Sequence, residues 1–148
     1  MVKVLQRFDN SRIEGDLLPA PHTNIQNPKT IVDGSATALF EVACPSGDVV
    51  GGIVHFMVRV GDGTDHQVIA GIMSYAAANK AGTITADETY ATANEAKVAT
   101  AGTLTLAFTV TDNTNKITVL LQPTGSLTET LYTVEYTVYP IKGAVTIL

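Results

Sequence analysis

Residues 103–112 read TLTLAFTVTD, and their alternation decides the fold of this chain. Leu104, Leu106, Phe108 and Val110 occupy every second position, and threonines fill most of the positions between them. An apolar–polar repeat with a period of two, rich in β-branched residues, is typical of a strand that buries one face. We therefore predict a β-strand here, with its apolar side chains in a core.

The same pattern recurs through residues 35–139. The other alternating stretches are SATALFEVAC (35–44), VVGGIVHFMVRV (49–60), KITVLLQ (116–122) and LYTVEYTVY (131–139). HQVIAGIMSYAA alternates less clearly, and we expect part of it to be covered on both faces. Turn-like segments such as CPSGD, GDGT and PTGS separate the stretches. About eight short strands with such punctuation predict an all-β fold, a jelly-roll-like β-sandwich.

Residues 1–34 differ from this body and predict an extended N-terminal arm. A short strand is expected at VKVLQRF, but Pro19, Pro21 and Pro28 exclude a regular helix or a central strand further along. The arm nevertheless carries apolar side chains, which need a surface to lie against. That surface belongs either to its own domain or to another chain.

Two further segments need a separate interpretation. Residues 140–148, PIKGAVTIL, form an apolar tail, and Pro140 is expected to end the strand before it. Such a tail either adds a strand to its own sheet or docks on a neighbour. Between Asp87 and Ala99, the alanine, glutamate and lysine content permits a short helix. We favour irregular structure or an edge strand there, with a single helical turn as the helical option.

Composition limits the function classes. The chain has 148 residues, of which 45% are hydrophobic and 16% charged, so one domain (residues 35–139) with a real core is expected. So low a charge content suggests that partners cover part of the surface. The net charge is −5 and the nine Lys and Arg are scattered, which argues against a nucleic-acid partner. No apolar run approaches a membrane span, and the first residues lack a signal-peptide pattern, so we expect synthesis in a cytoplasm.

The stretch GDGTDH places Asp62, Asp65 and His66 together and could suggest a metal site. A calcium loop needs a closing glutamate, and zinc needs more histidines or cysteines than this stretch offers. Asp-Gly between two alternating apolar runs is instead a strong hairpin signal. We predict a hairpin turn without a bound ion, and a small loss of stability on replacing Asp62 by alanine.

No other motif predicts chemistry. His22, His55 and His66 lie near no recognised nucleophile pattern, and Cys44 falls on the apolar face of a strand. The glycines of GDVVGG lack the lysine and helix of a phosphate-binding loop and instead mark a bulge or a close backbone approach. We therefore predict no catalytic residues, no metal and no cofactor, and a structural or interaction protein rather than an enzyme.

Two stretches resemble a known family. DGTDHQVIAGIMSYAAANKAGTIT and AGTLTLAFTVTDNTNKITVLLQPTGSLT contain a DGT-x-x-Q hairpin, an NKAGT turn, an AGTLT strand and a closing SLT. Together they are similar to a segment that recurs in virion structural proteins of tailed bacteriophages. The resemblance covers residues 35–139 and leaves out the arm and the tail.

This resemblance implies a small β-sandwich on a phage particle. A single module with short extensions resembles a capsid decoration (cement) protein, which commonly forms a homotrimer on the capsid and binds the major capsid protein. The expected location is then the virion, on the capsid surface, after assembly in the cytoplasm of the host bacterium. An alternative is a tail, neck or fibre-associated virion protein, an adhesin-like binding module whose turns at 61–65 and 112–115 contact a ligand. A small carbohydrate-active enzyme is a third option, but the sequence lacks a credible carboxylate pair for it.

The partner-binding residues of a decoration protein are expected on the arm and the tail, because decoration proteins often reach neighbouring subunits through terminal arms. The candidates are Phe8, Arg12, Ile13, Leu17, Leu18, Ile25, Ile141, Val145, Ile147 and Leu148.

Overall fold

The computed structural model describes residues 22–23, 29–128 and 130–148. Within this part of the chain the secondary structure is entirely β, as predicted, and no helix is present that could cross a membrane. The strands are β1 (His22–Thr23), β2 (Lys29–Val32), β3 (Thr37–Ala43), β4 (Val49–Gly61), β5 (His66–Lys80), β6 (Thr83–Ala99), β7 (Leu104–Asn113), β8 (Lys116–Gly125), β9 (Leu131–Lys142) and β10 (Val145–Ile147). The described residues therefore contain ten strands where about eight are expected, and three of them, β1, β2 and β10, are short additions to the sheets. The strand predicted at VKVLQRF lies outside the described residues.

The strands form two antiparallel sheets that make a sandwich, which confirms the predicted fold class. In the large sheet the order is β1-β9-β4-β5-β6, and β2 also pairs with β9. In the small sheet the order is β10-β3-β8-β7. Strands β4, β5 and β6 form a meander, after which the chain crosses to the small sheet for β7 and β8 and returns with β9.

The core lies between the sheets and is built from the predicted alternating positions. Every second residue of β4 from Val54 to Val60 and of β9 from Tyr132 to Val138 is buried. One strand departs from simple alternation: the register of β3 shifts between Ala38 and Phe40, so Leu39 and Phe40 are both buried. The hydroxyl of Tyr136 donates a hydrogen bond to the Leu39 carbonyl at 2.5 Å, which satisfies a polar atom at the irregularity.

The ambiguous segment Asp87–Ala99 belongs to β6 and is the edge strand of the large sheet, so the edge-strand option is confirmed. Its pairing with β5 steps from Tyr90 to Glu95, so residues 91–94 bulge out opposite one residue of β5. Two of its charged side chains reach the neighbouring edge of the small sheet. Glu88 accepts a bond from the Val110 amide at 3.2 Å, and Lys97 donates to the Leu104 carbonyl. These side chains close the seam between the sheets and occupy backbone groups that would otherwise be an open edge.

The apolar tail is part of the sandwich. Strand β9 continues through Pro140 to Lys142, so the expectation that Pro140 ends it is wrong. Pro140 lies opposite Gly52, where the register of β4 shifts, and a bulge tolerates a residue that lacks an amide donor. Strand β10 then pairs with β3, and Lys29 donates a hydrogen bond to the Leu148 carbonyl at 3.0 Å. The tail therefore adds a strand to a sheet of its own domain, which is the first of the two options predicted for it.

Candidate functional site

The GDGTDH segment forms the loop of the β4–β5 hairpin, as predicted. One carboxylate oxygen of Asp62 accepts hydrogen bonds from the amides of Asp65 at 2.8 Å and Thr64 at 3.1 Å. The bonds from the Asp65 and Thr64 amides hold the pKa of the Asp62 carboxyl below its usual value, because they favour its charged form. Gly63 takes a φ of 93°, which few other residues adopt. The aspartate at the start of the loop therefore fixes the turn.

The other two residues of this segment also serve the local structure. Thr100 donates a hydrogen bond to the Asp65 carboxylate at 2.9 Å and accepts one from the His66 amide at 2.8 Å. These bonds fasten the β4–β5 hairpin to the end of β6. Among the described residues, no group of three histidines, cysteines or acidic residues is placed to hold a metal ion.

The opposite end of the sandwich is held together by Asn79, a buried side chain near the end of β5. Its amide nitrogen donates to the carbonyls of Cys44 at 2.7 Å and Thr114 at 3.0 Å, and its oxygen accepts from the Gly82 amide at 2.9 Å. These three hydrogen bonds, which we call the Asn79 cluster, join three loops that are distant from one another in sequence. The cluster also places the 112–115 turn at the other end of the molecule from the 61–65 loop, so one compact ligand cannot contact both.

Cys44 and His55 occupy ordinary structural positions. Cys44 is fully buried beside the Asn79 cluster. Burial raises the pKa of its thiol, which disfavours the reactive thiolate. His55 is exposed on the large sheet, with its ring 4.9 Å from that of Tyr139. Gly52 is a close-approach position, as predicted, because a Cβ there would lie 2.6 Å from the Tyr139 carbonyl oxygen.

The outer surface of the large sheet is the most unusual feature of the molecule. We call it the apolar face, formed by outward-pointing side chains of β2, β9, β4, β5 and β6. Its main members are Val32, Ile53, His55, Met57, Val68, Ala70, Ile72, Val98, Leu131 and Tyr139. Val98 is 62% exposed, Leu131 52% and Ile72 44%. Exposed apolar side chains in this number on one sheet face, here interrupted by Arg59, Thr133, Glu135 and Thr137, are typical of interaction sites in soluble proteins.

Charge is sparse on the apolar face. Arg59 and Glu135 form an ion pair at 3.1 Å. Beside this pair, towards the β4–β5 hairpin, a shallow depression of about 520 Å³ is lined in part by Arg59, His66, Val68 and Leu131. Because Arg59 has its counter-ion on the neighbouring strand, the centre of the face is close to neutral.

The outer surface of the small sheet is chemically different, and we call it the threonine face. It displays Thr105, Thr109, Thr111, Thr118, Gln122 and Thr124 in neighbouring rows of β7 and β8. Lys116 and Glu41 form an ion pair at 2.7 Å at its edge. Hydroxyl and amide groups are well solvated, so this face can remain in water. The large sheet therefore has the more apolar outer surface and the small sheet the more polar one, with Ala107 and Leu120 as the apolar exceptions in β7 and β8.

The predicted partner-binding residues have different positions. Phe8, Arg12, Ile13, Leu17, Leu18 and Ile25 lie outside the described residues. In the tail, Ile141 is 66% exposed near the end of β9, one of the strands that form the apolar face, and Leu148 is also exposed. Val145 and Ile147 are half-buried and pack against the core of their own domain.

The apolar face itself was not predicted, although the sequence contains a signal for it. Outward positions of a half-buried strand are normally polar, but in β5 Val68, Ala70 and Ile72 occupy them. The pattern of this stretch predicts partial burial on both faces, whereas in the structure these side chains are half-buried or exposed.

No family model matches the chain, and a search of curated proteins finds no match. Among solved structures, the chain is similar to the tailspike protein of Acinetobacter baumannii phage AM24, with a TM-score of 0.42 and 9% identity. The match covers 84% of this chain and 26% of the tailspike chain, so this chain spans about a quarter of that protein's length.

Proposed function

We propose that this protein is a non-enzymatic structural component of a tailed-phage virion, a decoration protein that binds the outside of the major capsid protein lattice and stabilises the head. The observation that supports this proposal is the two-sided character of the sandwich. An apolar face opposite a polar face suits a protein that works in an assembly, with one side covered and the other in water. The resemblance of residues 62–85 and 101–128 to virion proteins of tailed bacteriophages indicates that this assembly is a phage particle.

The contact with the shell is assigned to the segments outside the sandwich core. Residues 1–21 precede every described strand, and Ile141 projects from β9 with most of its surface exposed. A contact of this kind need not be strong, because a lattice repeats it many times and the avidity of the assembly grows with the number of linked contacts. The homotrimer that the resemblance implies stays a prediction.

The location can be tested by immunogold labelling of virions of the phage that encodes the chain, with an antibody against the full-length protein. Label distributed over the whole head supports the decoration function. Label confined to the tail or neck supports the alternative, a tail, neck or fibre-associated protein. Virions without label contradict both.

Binding can be tested by co-sedimentation of purified protein with heads that lack it. Deletion of residues 1–21 leaves every described strand in place, and it is expected to abolish co-sedimentation while circular dichroism remains that of a β protein. The matched surface control is Thr109→Asp on the threonine face, which is expected to bind as the unaltered protein does. If the shortened protein saturates the heads, residues 1–21 are not the attachment segment.

A further inference from the structure

We propose that the apolar face is covered by a second copy of this chain, packed face to face around a twofold axis. This inference goes beyond the proposed function, because it concerns the protein in solution and needs no virion, and it competes with the homotrimer that the family resemblance implies.

The size of the face fits such a contact. Beside Leu131–Val134 five neighbouring strands, β2, β9, β4, β5 and β6, lie side by side and span about 24 Å at roughly 4.8 Å per strand, and beyond the end of β2 four strands span about 19 Å. From Leu131 to Tyr139 the face extends about 26 Å at roughly 3.3 Å per residue. Two such faces would bury about 1,100 Å² in total, above the roughly 1,000 Å² that a specific protein interface needs.

The charges of the face also fit a second copy. Burial of a lone charge would oppose association, but Arg59 and Glu135 enter the interface as a neutral pair already formed at 3.1 Å. A second copy presents the same cation and anion in the same arrangement. Rotation about a twofold axis can therefore bring each arginine near a glutamate of the other copy without placing like charges together.

The geometry of sheets favours the same arrangement. Twisted sheets pack face to face about 10 Å apart, with their strands crossing at roughly 30°. A patch that pairs with itself makes a closed contact that is complete with two copies. In that pair both threonine faces point outward, which accounts for the polarity of the small sheet. Residues 1–21 of the chain and the capsid protein are the competing occupants of the face.

The test is the molar mass of the full-length protein in solution, measured by light scattering and sedimentation velocity over a range of concentrations. The expected mass is twice that of the 15.6 kDa chain. Ile72→Lys near the middle of the face places an unpaired cation in the contact and should weaken association at least about 100-fold. Thr109→Lys makes the same charge change on the threonine face and should leave the pair intact.

Three results would overturn the inference. They are a monomer at every concentration, a trimer, and a pair that Ile72→Lys and Thr109→Lys leave equally stable. If Ile72→Lys does not fold, Val98→Lys replaces it, because that side chain is the more exposed of the two. Arg59→Glu should also weaken the pair, and Arg59→Glu combined with Glu135→Arg should restore it. If the protein does not form a pair in solution, the head-binding experiment is unaffected. If the protein does not bind heads, the measured molar mass still tests the pair.

Discussion

Replacing Asn79 by aspartate tests whether one buried amide holds three loops together. Aspartate has the same shape and keeps the oxygen that accepts from the Gly82 amide, but it loses both donors. The carbonyls of Cys44 and Thr114 then each lose a hydrogen bond and face a carboxylate. An unsatisfied buried polar group costs about 1–3 kcal/mol, so the two together should lower the free energy of unfolding by about 4 kcal/mol at neutral pH. For a domain of this size, the melting temperature should fall by roughly 10 °C.

The pH dependence gives the substitution a signature of its own. Burial beside two carbonyl oxygens raises the pKa of the introduced carboxyl in the folded state above its unfolded value of about 3.9. The neutral acid is therefore the form that the fold tolerates. The variant should be closest to the unaltered protein below about pH 4, and it should lose stability as the pH rises through the folded-state pKa.

Urea unfolding followed by circular dichroism at pH 4 and pH 7 measures both effects. The matched control is Asn113→Asp, which makes the same charge change at the exposed end of β7. Equal unfolding midpoints for the two variants at pH 7 would refute the structural reasoning. A deficit for Asn79→Asp that does not change with pH would refute the electrostatic part of it.

Three other predictions address single features of the fold. Gly125→Ala should lower the melting temperature because a Cβ there would overlap the Tyr132 hydroxyl, and Tyr132→Phe added to it should recover part of the loss; equal melting temperatures for the single and double variants would contradict this. Burial raises the pKa of Tyr75 and Tyr136 to about 12, so their contribution to stability is complete below about pH 10 and is lost as the pH rises towards 12. Ultraviolet titration should show phenol ionisation near pH 12 that decreases in the Tyr75→Phe and Tyr136→Phe variants, and an unchanged titration in both variants would count against it. Asp62→Ala should reduce stability slightly at neutral pH, because the charged carboxylate accepts the hydrogen bonds of the turn. The difference should shrink as the pH falls below the unfolded-state value of about 3.9 and through the lower folded-state pKa; equal differences in urea midpoint at neutral and acid pH would disprove the role of the carboxylate.

The alternation of apolar residues was sufficient to predict the sandwich because each central strand buries one face. In β7 and β9 the predicted inward positions are buried or half-buried. Strand β6 could not be predicted in this way, because its inward positions carry Glu88 and Lys97, which close the seam between the sheets. The amino-acid composition of β6 is therefore typical of a helix, although the segment forms the edge strand of the large sheet.

The candidate surfaces were harder to predict than the fold. Asn79 could have been found as a polar residue in the inward phase of β5, after Met73, Tyr75 and Ala77. Its three hydrogen-bond partners could not, because they lie in loops that only the folded chain brings together. The apolar face depends on which strands are neighbours, and the alternation within one strand contains no information about strand order.

The position of β9 has a consequence for synthesis of the chain. This strand follows β8 in the sequence, yet it lies between β2 and β4 in the large sheet. While the ribosome is still adding residues up to Lys142, the 13-residue strand β4 can pair with β5, but β9, the strand that pairs with its other edge, is not yet complete. An unpaired strand of this length is a template for aggregation between nascent chains. Release of a chain that ends before β9 would leave this edge permanently open.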